Sequence, residues 1–98
     1  MKKIDAKKVL GQVAPEQCFW VNNGPIVRSV ADLPRALKKM KDKTFMHHVG
    51  KDKNDFSTWI KHVVGDANLA NSISKLKTKK AMIDQLNKRI KLLKKSAA

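Results

Sequence analysis

The sequence predicts a small α+β fold dominated by helices, with one N-terminal β-hairpin packed on three or four short helices and a longer basic helix at the C-terminal end. Three observations carry this expectation. Aromatic and β-branched residues flank the run Asn22-Asn23-Gly24-Pro25. Between Leu33 and Ile73 apolar residues recur at helical spacing, broken repeatedly by capping and stop residues. The last quarter of the chain then sets Leu and Ile at seven-residue intervals within a dense run of Lys. A chain of 98 residues makes one domain of modest core, since a protein of this size buries only ~60–65% of the surface its unfolded chain exposes. The expected division is a basic arm over residues 1–15, a globular hairpin-plus-helices unit over 16–74, and a Lys-rich amphipathic helix or tail over 75–98.

The arm, Met1–Pro15, sets Lys2, Lys3, Lys7 and Lys8 against Asp5, and Gly11 and Pro15 limit any helix in it to a short turn. In Gln17–Ser29, Phe19, Trp20 and Val21 precede the Asn-Gly pair, and Ile26 and Val27 follow it. Asn-Gly readily supplies the positive φ angles of a tight hairpin turn, and the flanks suit a pleated surface. Ser29 and Asp32 resemble a capping box, after which Leu33, Ala36, Leu37 and Met40 fall on one helical face, with Pro34 early enough to be tolerated. Asp42 is positioned to cap a second short helix ending at Gly50. Asn54 and Asp55 are the start signals of the most apolar helix, in which Phe56, Trp59, Ile60, Val63 and Val64 precede a stop at Gly65. Asp66 then caps a helix carrying Leu69, Ala70 and Ile73, and nothing between Ser74 and Lys80 forbids its continuation into the tail. In the tail, Leu76, Ile83 and Ile90 recur every seven residues, with Leu86 and Leu93 interleaved. This short seam offers itself to the domain or to a second copy of the chain.

Charge is the main functional signal. Lys and Arg outnumber Asp and Glu by 22 to 8, a net charge of +14, which favours polyanionic partners. The excess is segregated: Lys75–Lys95 holds nine basic residues against Asp84, whereas residues 44–74 balance three Lys with three Asp. Only Arg28, Arg35 and Arg89 are arginines. Lys is a flexible point charge suited to phosphates, while base-edge reading favours Arg, so affinity with little sequence discrimination is expected. The single cysteine, Cys18, excludes an internal disulfide framework and fits a reducing cytoplasm. Neither a signal-peptide apolar run nor a stretch of about eighteen apolar residues occurs, so a cytoplasmic protein is expected.

Catalytic and metal chemistry find little support. His47, His48 and His62 with Asp52 and Asp55 form the one metal or acid–base constellation to weigh, but the spacing lacks an H-x-x-x-H or paired-cysteine pattern. His48 is better placed as a polar core residue, bonded to a backbone carbonyl or to Asp55, with His47 facing water. No Gly-rich phosphate loop, carboxylate pair or activated nucleophile stands out. No enzymatic activity, metal or cofactor is expected.

The ordered motifs F-W-V-x-N-G-x-I-V-R-S, L-x-x-A-L-x-x-M, T-F-x-x-H-V and K-N-D-F-S-x-W-I, with G-D-x-x-L-A behind them, resemble a family of small archaeal and bacterial domains of unknown function. Phe19, Asn23, Gly24, Leu33, Leu37, Met40, Phe45, His48, Asn54, Asp55, Phe56, Trp59, Gly65, Asp66 and Leu69 are among the residues that carry the resemblance. It spans roughly residues 18–73 and implies the hairpin-then-helices fold without an activity. The basic arm and tail lie outside it.

The function expected from charge is sequence-tolerant nucleic-acid binding by a small nucleoid-associated, chromatin-like DNA-binding protein. Its phosphate contacts would come from Lys2, Lys3, Lys7 and Lys8 in the arm, Arg28 after the hairpin, and Lys38, Lys39, Lys41 and Lys43 around the first helix end. The tail would add Lys75, Lys77, Lys79, Lys80, Lys88, Arg89, Lys91, Lys94 and Lys95. Trp20, on the opposite strand face from Phe19, is a candidate for stacking on a base. An RNA- or ribosome-associated protein fits the same composition. A protein-interaction module is the reading of another class, either meeting an acidic partner or forming a homodimer through Leu76, Ile83, Leu86, Ile90 and Leu93.

Overall fold

The hairpin forms between β1 (Phe19–Trp20) and β2 (Ile26–Val27), antiparallel, with Phe19 opposite Val27 and Trp20 opposite Ile26. The structure, a computed structural model, describes residues 5–22 and 24–97. Lys2, Lys3 and Asn23 therefore lie outside the described residues. Strand alternation turns Phe19 and Val27 inward and leaves Trp20, 68% exposed, beside Ile26 on the open face. The tight turn expected from Asn23-Gly24 includes Asn23 and so lies outside the described residues. Val21 N–H donates to the Pro25 carbonyl at 3.3 Å and Gly24 N–H to the Val21 carbonyl at 3.0 Å. The Val21 side chain at the start of the loop is buried. Gly24 lies so close over it that a Cβ there would stand 2.7 Å from Val21 Cγ1. What glycine supplies at this position is room.

Helices follow in quick succession. A 3-10 turn over Val30–Asp32, with Ser29 Oγ donating to Asp32 Oδ2 at 3.1 Å, leads into α2 (Leu33–Lys39). Pro34 falls in its first turn as the sequence predicts. In α3 (Asp42–His48) the cap position is Lys41. Asp42, expected as the cap, stands one residue further in and pairs with Lys79 instead. Asn54 caps α4 (Asp55–Trp59) by accepting Ser57 N–H at 3.0 Å. The helix then widens into a π-turn over Ile60–Val64, closed by Gly65 at φ 89° with its N–H on the Ile60 carbonyl at 2.7 Å. Asp66 caps α5 (Ala67–Ile73) through Leu69 N–H. Helix α5 does not run on into the tail: Thr78 Oγ1 accepts Ala81 N–H and starts α6 (Lys79–Ala97) afresh.

The core is built on a cluster of rings. Phe19 stacks on Phe56 at 4.8 Å between centroids and meets Trp59 edge-on at 5.8 Å, while Trp59 Nε1–H donates to the Gln17 carbonyl at 2.8 Å. Asn54 Nδ2 and Ser57 Oγ tie α4 to the carbonyls of Ile73 and Ala70. The arm and the tail both enter this core. Residues Ala6–Leu10 form α1, which buries Ala6 and Val9 and packs on α6. Helix α6 buries Met82, Leu86, Ile90 and Leu93 in the same cluster, with Leu76 and Ile83 partly covered against it. Of the two partners expected for the seam, the domain itself and a second copy of the chain, the domain is the one that covers it here. Its seven-residue repeat matches the chain's own helices as well as it would a twin, and the intramolecular match is the one made.

Candidate nucleic-acid interface

The basic residues divide by what their head groups touch. Four are engaged in holding the fold. Arg89 reaches from α6 to Asp66, with Nε donating to Oδ2 at 2.8 Å and Nη2 to Oδ1 at 3.1 Å. Asp66 is fully buried, so this fork on a carboxylate removes Arg89 from the expected phosphate contacts. Lys79 donates to the Met40 carbonyl at 2.6 Å and pairs with Asp42 at 3.0 Å, so it fastens the start of α6 to the end of α2. Lys77 donates to the carbonyls of Gly50 and Lys51. Lys53 pairs with Asp55.

The remaining expected contacts are exposed and unevenly placed. Lys7 and Lys8 occupy the last turn of α1, and Arg28 follows β2. Lys75 faces a shallow hollow with Lys51 and Lys53. The densest grouping is where α2 meets α6. Here Arg35, Lys38 and Lys39 of α2 face Lys80 of α6 across a groove of about 1000 Å³ floored by Pro34, Leu37 and Ile83. Lys79 and Asn87 complete its wall. On a helix turning about 100° per residue, Lys80, Asn87, Lys91 and Lys94 fall within roughly 60° of one another, so the groove continues as a basic strip along exposed α6 residues. Lys88 and Lys95 flank that strip, with exposed Asp84 between it and them as its one carboxylate. Lys39 also borders a second cleft, shared with Lys41 and Lys43 and with the hairpin loop. Residues forty positions apart in sequence therefore present one cationic face.

The sequence pattern of a family of unknown function (DUF5752) matches residues 15–95. The chain belongs to this family. The match to DUF5752 extends beyond the span expected from the motifs, roughly 18–73, and takes in nearly all of α6, consistent with that helix being a structural part of the domain. No curated protein and no solved structure matches the chain.

Arg35 was absent from the expected contacts, although it lies three and four residues before Lys38 and Lys39, the spacing that puts helix residues side by side. Trp20 stands open to solvent as the strand alternation predicts, with Ile26 across from it. Histidine fares differently at its three positions. His48 is buried, its Nε2 accepting Asn22 N–H at 3.0 Å and its Nδ1–H donating to Asp55 Oδ2 at 3.0 Å. A backbone N–H can only donate, so the proton is on Nδ1 and both ring nitrogens are used. The ring pins the hairpin to α3 and α4 and has no lone pair left for a metal or a substrate. His47 and His62 are exposed. Among the described residues no three His, Cys, Asp or Glu side chains converge as metal ligands, and no helix is long and apolar enough to cross a membrane. Cys18 is half-buried, with Sγ 3.6 Å from the Ala14 carbonyl.

Proposed function

We propose that the protein binds nucleic acid with little sequence preference, as a nucleoid-associated DNA-binding protein whose lysines neutralise phosphates and release counterions. The observation that carries this reading is the cationic face at the α2–α6 groove, where Arg35, Lys38, Lys39 and Lys80 gather with no carboxylate lining it. Such a groove raises the local potential above that of the same charges on a convex surface. The strip of Lys80, Lys91 and Lys94 extends the contact along α6, while Lys77, Lys79 and Arg89, spent on the fold, take no part. Phosphate contact through Lys gives affinity, and the near absence of exposed Arg on the strip leaves base reading minor.

Titrating duplex DNA, structured RNA and anionic liposomes side by side across a salt series tests the reading. DNA is expected to bind most tightly, and engagement of six phosphates gives a log–log salt slope of roughly −5. Preference for structured RNA transfers the same surface to an RNA-associated role. Tighter binding to liposomes than to either nucleic acid overturns the proposal.

A further inference from the structure

Between the hairpin loop and the α2–α3 connection lies a cleft of about 560 Å³, which shares only Lys39 with the α2–α6 groove. Val21, Pro25, Ala36 and Met40 give it an apolar wall. Lys39, Lys41 and Lys43 stand around it, and Asn22, Thr44 and His47 add polar groups. No carboxylate lines it. Asp42, between the lysines in sequence, is held by Lys79, and among the described residues none of the three lysines forms an ion pair. The space has the size of a small-ligand pocket, too confined for a duplex. Three uncompensated ammonium groups exceed what one singly charged phosphodiester requires. They match a phosphomonoester, which carries about −1.5 to −2 at neutral pH.

We propose that this cleft binds a nucleotide by its phosphomonoester, the phosphate among Lys39, Lys41 and Lys43 and the base and sugar against Val21, Pro25 and Met40. The phosphate belongs either to a free mononucleotide or to the 5′ end of a strand. The strand-end case rests on the nucleic-acid reading above, whereas the free-nucleotide case stands without it.

Calorimetric titration of the full chain with adenosine 5′-monophosphate and with adenosine is the first measurement. The second is titration with a short single strand carrying a 5′-phosphate or a 5′-hydroxyl. Binding of the monophosphate but not of adenosine is expected, weakened on the order of 10-fold or more in Lys41→Gln/Lys43→Gln, the loss that goes with a charge-assisted hydrogen bond. It should be unchanged in Lys61→Gln, an exposed lysine outside both the cleft and the α2–α6 groove. NMR amide shifts on adding the monophosphate should centre on Asn22, Thr44 and His47. A strand-end site adds tighter binding of the 5′-phosphorylated strand and its displacement by the monophosphate, while equal binding of the two strands assigns the cleft to the free nucleotide. The proposal is overturned if the monophosphate binds no better than adenosine and the 5′-phosphate changes nothing, if the Lys41/Lys43 variant binds the monophosphate as tightly as the parent, or if the shifts map to α6. Loss of strand binding with monophosphate binding intact would sink the nucleic-acid reading and leave the cleft assignment standing.

Discussion

At Asp66 one carboxylate serves two elements, capping α5 through Leu69 N–H and receiving the Arg89 fork from α6. Removing Arg89 strands the Asp66 charge where water does not reach, so Arg89→Gln is expected to cost about 3–5 kcal/mol in urea denaturation. Its effect on DNA affinity at fixed folded concentration should be small, because the guanidinium is not part of the open cationic face. Gly24 makes a different argument. With a Cβ 2.7 Å from Val21 Cγ1, Gly24→Ala must push on a buried side chain, and a loss of roughly 1–3 kcal/mol in the same measurement is expected. Trp59→Ala, which empties a site beside Phe19 and removes the bond to Gln17, should cost about 3–5 kcal/mol. Trp20 is the opposite case. Open to solvent, it can be replaced by Ala with a change within about 0.5 kcal/mol of stability, so any loss of single-strand affinity in Trp20→Ala reports stacking directly.

Among the elements, α6 most separates what was legible in the sequence from what was not. Its apolar positions and its charge could both be read, as could the hairpin from its flanks, α4 from the Asn54 cap and Gly65 stop, and α5 from Asp66. The partner of the apolar seam could not be read, since a heptad of Leu and Ile is satisfied equally by a twin helix or by α1, α2 and α5. Long side chains posed the same difficulty at the candidate site: Lys77, Lys79, Lys80 and Arg89 look alike in a basic run. Only tertiary placement directs Lys79 to the Met40 carbonyl and Arg89 to Asp66 while leaving Lys80 open. These placements decide which experiments are informative. Deleting residues 75–98 removes Met82, Leu86, Ile90 and Leu93 from the core and should abolish cooperative unfolding altogether, so it is no test of a binding tail. Lys80→Gln/Lys91→Gln/Lys94→Gln keeps the buried face intact. Circular dichroism should show an unchanged fold, and the log–log salt slope for duplex DNA should become shallower by about 2–3 if all three reach phosphates.

For the molecule as a whole, most of the carboxylates are engaged by partners within the fold. Asp5 caps α1, Asp32 holds Ser29, Asp42 meets Lys79, Asp55 meets His48 and Lys53, and Asp66 meets Arg89. Glu16, Asp52 and Asp84 stand outside these contacts, and with all eight acids counted the net charge is still +14. A folded chain so charged repels itself, and added electrolyte screens that repulsion over about 10 Å at 0.1 M. Salt therefore acts on this protein with two signs. The melting temperature of the free protein should rise between low and moderate ionic strength while its complex with DNA weakens over the same range. A polyanion that cannot be specifically recognised, such as heparin, should raise the melting temperature as salt does, since the acids that hold the fold have left the surface lysines without counterions of their own.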